Sequence, residues 1–159
     1  MIKFGTSGWR GIIARDFTFD NVRVAAQGIA DYLKSELQNP QSEIAGRKPV
    51  VIIGYDTRFL GREFSLAAAE VLASNGLAPL LCHRDTPTPV IAHNIRARKA
   101  IGGINMTASH NPAEYQGLKF STSNGAPAHP GVTQQIEANC ARLLRSEEHT
   151  SELQSPNTI

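Results

Sequence analysis

Pro49-Val50-Val51-Ile52-Ile53-Gly54 is the run that decides the fold. Consecutive β-branched residues without polar alternation describe a strand covered on both faces, the middle of a sheet flanked by helices. Asp56, Thr57 and Arg58 stand at its C-terminal end, as an N-cap and salt bridge for the next helix or as part of a site there. Upstream, Val22, Ala25, Ala26, Ile29, Leu33 and Leu37 recur at helical spacing behind Asp20, which suits an N-cap, and this stripe reads as core. Further upstream, Ile2-Lys3-Phe4 predicts a short strand and Gly5 to Gly11 a loop. Downstream, Gly61 to Ser74 predicts a helix stopped by Asn75-Gly76, and Leu77 to Cys82 a second buried strand. Pro89 falls in the first turn of a helix reaching about Arg98, and Lys99 to Met106 is a third long strand. Leu118 to Ser121 makes a short returning strand. A last helix starts near Pro130 and carries Val132, Ile136, Cys140 and Leu143 or Leu144. The alternation predicts an α/β fold, a three-layer α/β/α domain with a mixed, largely parallel sheet.

At 159 residues the chain is about one domain's worth and can bury a core without staples. A hydrophobic content of 41%, a charged content of 19% and a net charge of +2 are ordinary for a globular protein and argue for neither nucleic acid nor membrane as partner. Cys82 and Cys140 show no metal-ligand spacing and read as two buried free thiols of a reducing cytoplasm. Neither a membrane-length apolar run nor signal-peptide patterning is present, so the expected location is cytoplasmic.

In open sheets of this kind, ligands gather at the carboxyl ends of strands. The third strand ends in Thr107-Ala108-Ser109-His110-Asn111-Pro112, which delivers one serine hydroxyl onto an exposed loop. A ring nitrogen (His110), an amide (Asn111) and an ammonium (Lys119) lie close to it in sequence. A hydroxyl so placed can accept a phosphoryl group and return it, given alignment and positive charge around the equatorial oxygens. Lys119 offers a point charge and Arg10 a planar fork. His110 suits proton shuttling or a hydrogen bond to phosphate, Asn111 suits bracing, and Gly117 would let backbone pass close by. The Gly5–Gly11 loop can turn N–H groups and the hydroxyls of Thr6 and Ser7 toward an anion, or it is a tight turn with a solvated arginine.

TASHNP resembles the phosphoserine loop of the α-D-phosphohexomutase family, the phosphoglucomutases and phosphomannomutases. Phe4-Gly5-Thr6-Ser7-Gly8-Trp9-Arg10-Gly11 is similar to that family's first signature, and Gly117-Leu118-Lys119-Phe120 also fits. The resemblance covers residues 1–144 and matches only the first of the family's four domains. It implies that Ser109 rests phosphorylated and donates to a hexose monophosphate. The bisphosphate then turns over and Ser109 recovers the other phosphate, so that the sugar's phosphate moves between positions 1 and 6. Ser109, His110, Lys119 and Arg10 would be catalytic, and Thr6, Ser7, Arg10 and Lys119 would bind substrate. A magnesium ion would sit on the Ser109 phosphate, its other ligands coming from an aspartate-rich loop of the second domain. These 159 residues contain no such loop, and domains II–IV are expected elsewhere in the same chain. The fragment alone is therefore expected to be inactive. Ser7 and Thr107 resemble the glucose and mannose members more than the glucosamine type.

Residues 145–159 change character and look like a translated sequencing-adapter oligonucleotide, so they read as a non-native tail; a genuine polar, frayed end is the other reading. His149 then carries no functional weight. A serine hydrolase built on Ser109-His110 lacks a nucleophile elbow and an acid partner. His83, His93 and His110 have no metal-ligand spacing, and Gly54-Tyr55-Asp56-Thr57-Arg58 is no phosphate-loop motif. The competing function is a non-catalytic phosphosugar-binding or interaction domain.

Overall fold

The computed structural model describes residues 1–5 and 7–153. Five strands and four helices alternate: β1 (Trp9–Ile12), α1 (Phe19–Gln38), β2 (Val50–Tyr55), α2 (Gly61–Ser74), β3 (Ala78–Leu81), α3 (Thr88–Ala97), β4 (Gly102–Met106), β5 (Tyr115–Thr122) and α4 (Pro130–Leu153). They form one mixed sheet in the order β1-β5-β4-β2-β3. Its core, β4-β2-β3, is parallel, and β5 and β1 add antiparallel.

Alternate residues of β2 explain the three layers. Val51, Ile53 and Tyr55 face the main core, where they meet residues of α1, α2 and α4 such as Leu33, Phe64 and Ile136. Ile52 faces the other way into a smaller cluster with Ile91, Ile95 and Ala100, which only α3 covers. Burial of both faces is why this strand reads as an unbroken apolar run.

Several elements differ from the sequence reading. No strand forms at residues 2–4; β1 instead starts at Trp9, inside the expected glycine loop, and pairs with β5. Ile2 and Phe4 are nonetheless buried, and the Phe4 N–H donates to the Glu137 carboxylate of α4. Thr18, not Asp20, caps α1, accepting the Asn21 N–H at 3.2 Å. β3 is an edge strand with Leu80 exposed, not a buried one, because among the described residues no further strand pairs with its outer side. Cys140 is buried, but Cys82 is only partly so. The helix α4 continues without a break past residue 144. Among the described residues no helix is long and apolar enough to cross a membrane.

Candidate active site

The loop after β4 turns back into β5, so Ser109 and Lys119 flank one hairpin-like return at the carboxyl end of the parallel strands. Asn105 and Lys119 are register partners, and Arg10 of β1 faces Gly117 of β5. The order β1-β5-β4 therefore sets Arg10, Lys119 and Ser109 on three adjacent strands or strand ends. Arg10 joins the loop directly: its Nη1 donates to Asn111 Oδ1 at 2.6 Å. The bracing role expected of Asn111 is the one its side chain plays.

Two glycines allow the close approach. A Cβ on Gly117 would lie 2.4 Å from the Thr107 carbonyl oxygen and 3.0 Å from that of Trp9. Gly8, with φ +88°, would put a Cβ 2.5 Å from the Leu118 carbonyl oxygen and 2.7 Å from Lys119 Cγ. Only a residue without a side chain lets the first loop cross over the lysine stem.

Ser109 is exposed and adopts the left-handed conformation, φ +56°. For a non-glycine residue this costs on the order of 1–2 kcal/mol. Its N–H donates to Thr107 Oγ1 at 3.0 Å, and its Oγ lies 3.5 Å from His110 Nδ1. The two neighbouring side chains approach each other instead of pointing apart, as side chains in a loop ordinarily do. Among the described residues no carboxylate hydrogen-bonds the His110 ring, so the pair has no third member of a hydrolytic triad. Ser7 is exposed on the first loop, and Thr6 lies outside the described residues.

Among the described residues neither Arg10 nor Lys119 takes part in an ion pair. The Nε of Arg10 is buried without a hydrogen-bond partner. Burial holds the Lys119 ammonium below its ordinary pKa, the Arg10 charge pushes it the same way, and Asp56 opposes them. A buried guanidinium N–H with no acceptor is costly and calls for a partner.

In sequence Arg58 reads as the salt-bridge partner of Asp56 in a helix cap, or as part of a site at the strand end. The ion pair exists, at 3.5 Å, and Asp56 Oδ1 accepts the Arg58 N–H at 3.0 Å. The cap does not: α2 starts after Leu60, in the left-handed conformation, with no side-chain cap. The Arg58 fork reaches instead under the serine loop and donates to the carbonyls of Ser109 (2.9 Å), Pro112 (2.7 Å), Tyr115 (3.0 Å) and Asn111. The buried Gln116 side chain ties the same arginine loop to β5, donating to the Phe59 carbonyl and accepting the Gly117 N–H. Arg58 stands over fifty residues from these acceptors, and no local pattern announces such a contact.

His83, His93 and His129 are exposed and take no part in this site. A concavity of about 800 Å³ lies between β3 and α3, lined by Leu80, Cys82, Pro87 and Val90 among others; it shares none of the residues around Ser109.

A three-layer α/β domain thus presents one serine hydroxyl just past the end of β4, and the neighbouring strands β5 and β1 carry a lysine and an arginine without ion-pair partners among the described residues. Residues 1–146 match the family model described as phosphoglucomutase/phosphomannomutase, alpha/beta/alpha domain I. The chain belongs to that family. It is 36% identical over 145 residues to a phosphoglucomutase of Komagataeibacter xylinus, covering 86% of this chain and 24% of that protein. A phosphoglucomutase of Staphylococcus saprophyticus is 32% identical over 139 residues, with the same two coverages of 86% and 24%. Among solved structures, the open form of Paramecium parafusin, a phosphoglucomutase, matches with TM-score 0.76 and 30% identity over 88% of this chain and 25% of that one. The chain thus spans about a quarter of the length of the curated relatives it matches.

Proposed function

We propose that this chain is the phosphoserine-bearing first domain of a phosphohexomutase that interconverts hexose 1-phosphate and hexose 6-phosphate. The observation that supports the reading is an exposed Ser109 hydroxyl after β4 with two cations, Arg10 and Lys119, on the adjoining strands β1 and β5 and in no ion pair among the described residues. In the forward half-reaction the phosphoserine O–P bond breaks and a sugar O–P bond forms, and the sugar hydroxyl gives up its proton. Ser109 Oγ then takes the second phosphoryl group from the bisphosphate, and the geometry runs in reverse. Arg10 and Lys119 hold the equatorial oxygens, where catalysis of this reaction is mostly alignment and charge. The proton acceptor at hand is the His110 ring, 3.5 Å from Oγ. In this reading Ser7 of the first loop adds a hydroxyl to the anion.

A magnesium ion belongs to this reading as the partner of the phosphoserine. The residues present do not make a site for it: among the described residues no group of three or more His, Cys, Asp or Glu converges. No step above is therefore routed through the ion. The Ser109 hydroxyl is exposed and open to water, so these 159 residues by themselves are inactive in this reading, the remaining domains II–IV being supplied by a longer chain. Residues 145–159 are proposed to be foreign to the domain.

Intact-mass spectrometry of the purified chain tests the carrier role. A phosphate adduct that maps to Ser109 and disappears in Ser109→Ala is the expected result. Turnover of glucose 1-phosphate by the 159-residue chain would refute the inactivity of the module.

A further inference from the structure

We propose that Arg58 is a positioning residue which turns the serine loop's carbonyls inward, so that the His110 backbone N–H faces outward as a donor to the phosphoryl group on Ser109. The inference rests on the carrier reading of Ser109 given above. It starts from peptide planarity. The carbonyl of residue 109 and the N–H of residue 110 belong to one peptide unit, and no peptide bond here is cis, so the two point in opposite directions. Arg58 Nη2 holds the Ser109 carbonyl at 2.9 Å from the inner side, and the His110 N–H is thereby aimed away from the protein.

The neighbouring N–H groups are already engaged. That of Ser109 donates to Thr107 Oγ1 at 3.0 Å and that of Asn111 to the Ala108 carbonyl at 3.1 Å. Residue 112 is a proline and has no N–H. Within residues 109–112 only the His110 N–H therefore remains for an external acceptor. The four carbonyls gathered on one planar fork offset the strain of the left-handed Ser109 backbone. The Arg58 side chain is only 14% exposed, so the fork is held beneath the loop and does not itself reach the anion. A lysine there would keep the charge but lose the planar fork that spans several carbonyls.

The test uses the 159-residue chain, ¹⁵N-labelled and titrated with inorganic phosphate, as wild type, Arg58→Lys and Lys119→Met. In the wild type the His110 amide resonance is expected to move with the titration, alongside amides near Lys119. In Arg58→Lys the His110 response should vanish and phosphate should bind about tenfold more weakly, the worth of one good hydrogen bond to a charged group. Amides around Phe120 should still respond, because Lys119 is untouched. A His110 amide that stays put in the wild type overturns the proposal without any variant, which covers the case of an unfolded Arg58→Lys. So does an Arg58→Lys chain that keeps both the His110 shift and the affinity. Lys119→Met separates the two levels: if it abolishes phosphate binding while His110 never moves, only the Arg58 inference falls. If it leaves phosphate binding intact, the reading of the site itself falls.

Discussion

Replacing Gly117 with alanine probes the closest packing in the site. The new methyl would sit 2.4 Å from the Thr107 carbonyl oxygen and 3.0 Å from that of Trp9, whereas ordinary contact begins at 3.4 Å. The backbone on the Thr107 side must therefore retreat by about 1 Å (3.4 − 2.4). Both neighbours are main chain, Trp9 in β1 and Thr107 just past β4, so no rotamer change relieves the overlap, and the cost falls near the top of the usual ~1–3 kcal/mol for overpacking. The reduced freedom of the unfolded alanine chain returns about 0.5 kcal/mol. A net loss of about 2–2.5 kcal/mol corresponds to a fall in Tm of roughly 6–8 °C for a domain this size. Gly76→Ala supplies the comparison: its φ is +77° with nothing within 4 Å, so it suffers backbone strain alone. That variant should lose only about 1 kcal/mol, roughly 3 °C. Thermal unfolding followed by circular dichroism reads both. A Gly117→Ala midpoint within 2 °C (~0.7 kcal/mol) of wild type, or above that of Gly76→Ala, would refute the argument.

Ser109→Gly should be more stable than Ser109→Ala by about 1 kcal/mol in denaturant titrations, because glycine accepts the φ of +56° that alanine resists. Equal stabilities would mean the loop stores no strain. The depressed pKa of Lys119 gives a signed pH dependence: the folded state releases this proton before the unfolded state does, so the penalty is full below the folded pKa. Stability should recover as pH rises from there toward the ordinary value of 10.5, and Lys119→Met should flatten that rise in alkaline unfolding curves. Burial pushes the Cys140 thiol up to about 12, so at mildly alkaline pH it stays protonated and shielded. A disulfide reagent should accordingly titrate Cys82 alone in the native chain and both thiols after denaturation; two fast thiols would contradict the packing of Cys140 against α1.

The helices and parallel strands were legible because their signals are periodic or local. The apolar run of β2, the Asn75-Gly76 stop and the proline in the first turn of α3 each act within a few residues, and each element lies where those signals put it. The N-terminal strand was misplaced because Ile2 and Phe4 look like strand residues. What makes residues 9–12 a strand is the free edge of β5, over a hundred positions away. The edge position of β3 was hidden for a related reason: Leu80 is apolar although exposed, and topology, not composition, decides which strand lies outermost. Around the site, Ser109, Arg10, Asn111 and Lys119 could be read from their chemistry and motif. Arg58 could not, since its role depends on carbonyls brought to it by the fold, and carbonyl direction leaves no trace in side-chain identity.

Arg10 and Asn111 meet across 101 positions, and β1 finds its only strand partner in β5. Such long-range pairing is slow, because the loop between the partners must close before any contact repays it. During synthesis the first segment therefore has nothing to pair with until residues 115–118 leave the ribosome, and Arg10 meets the Asn111 side chain only after the remainder of the sheet exists. Assembly order itself keeps the Arg10–Asn111 contact unmade in any chain that stops short of β5.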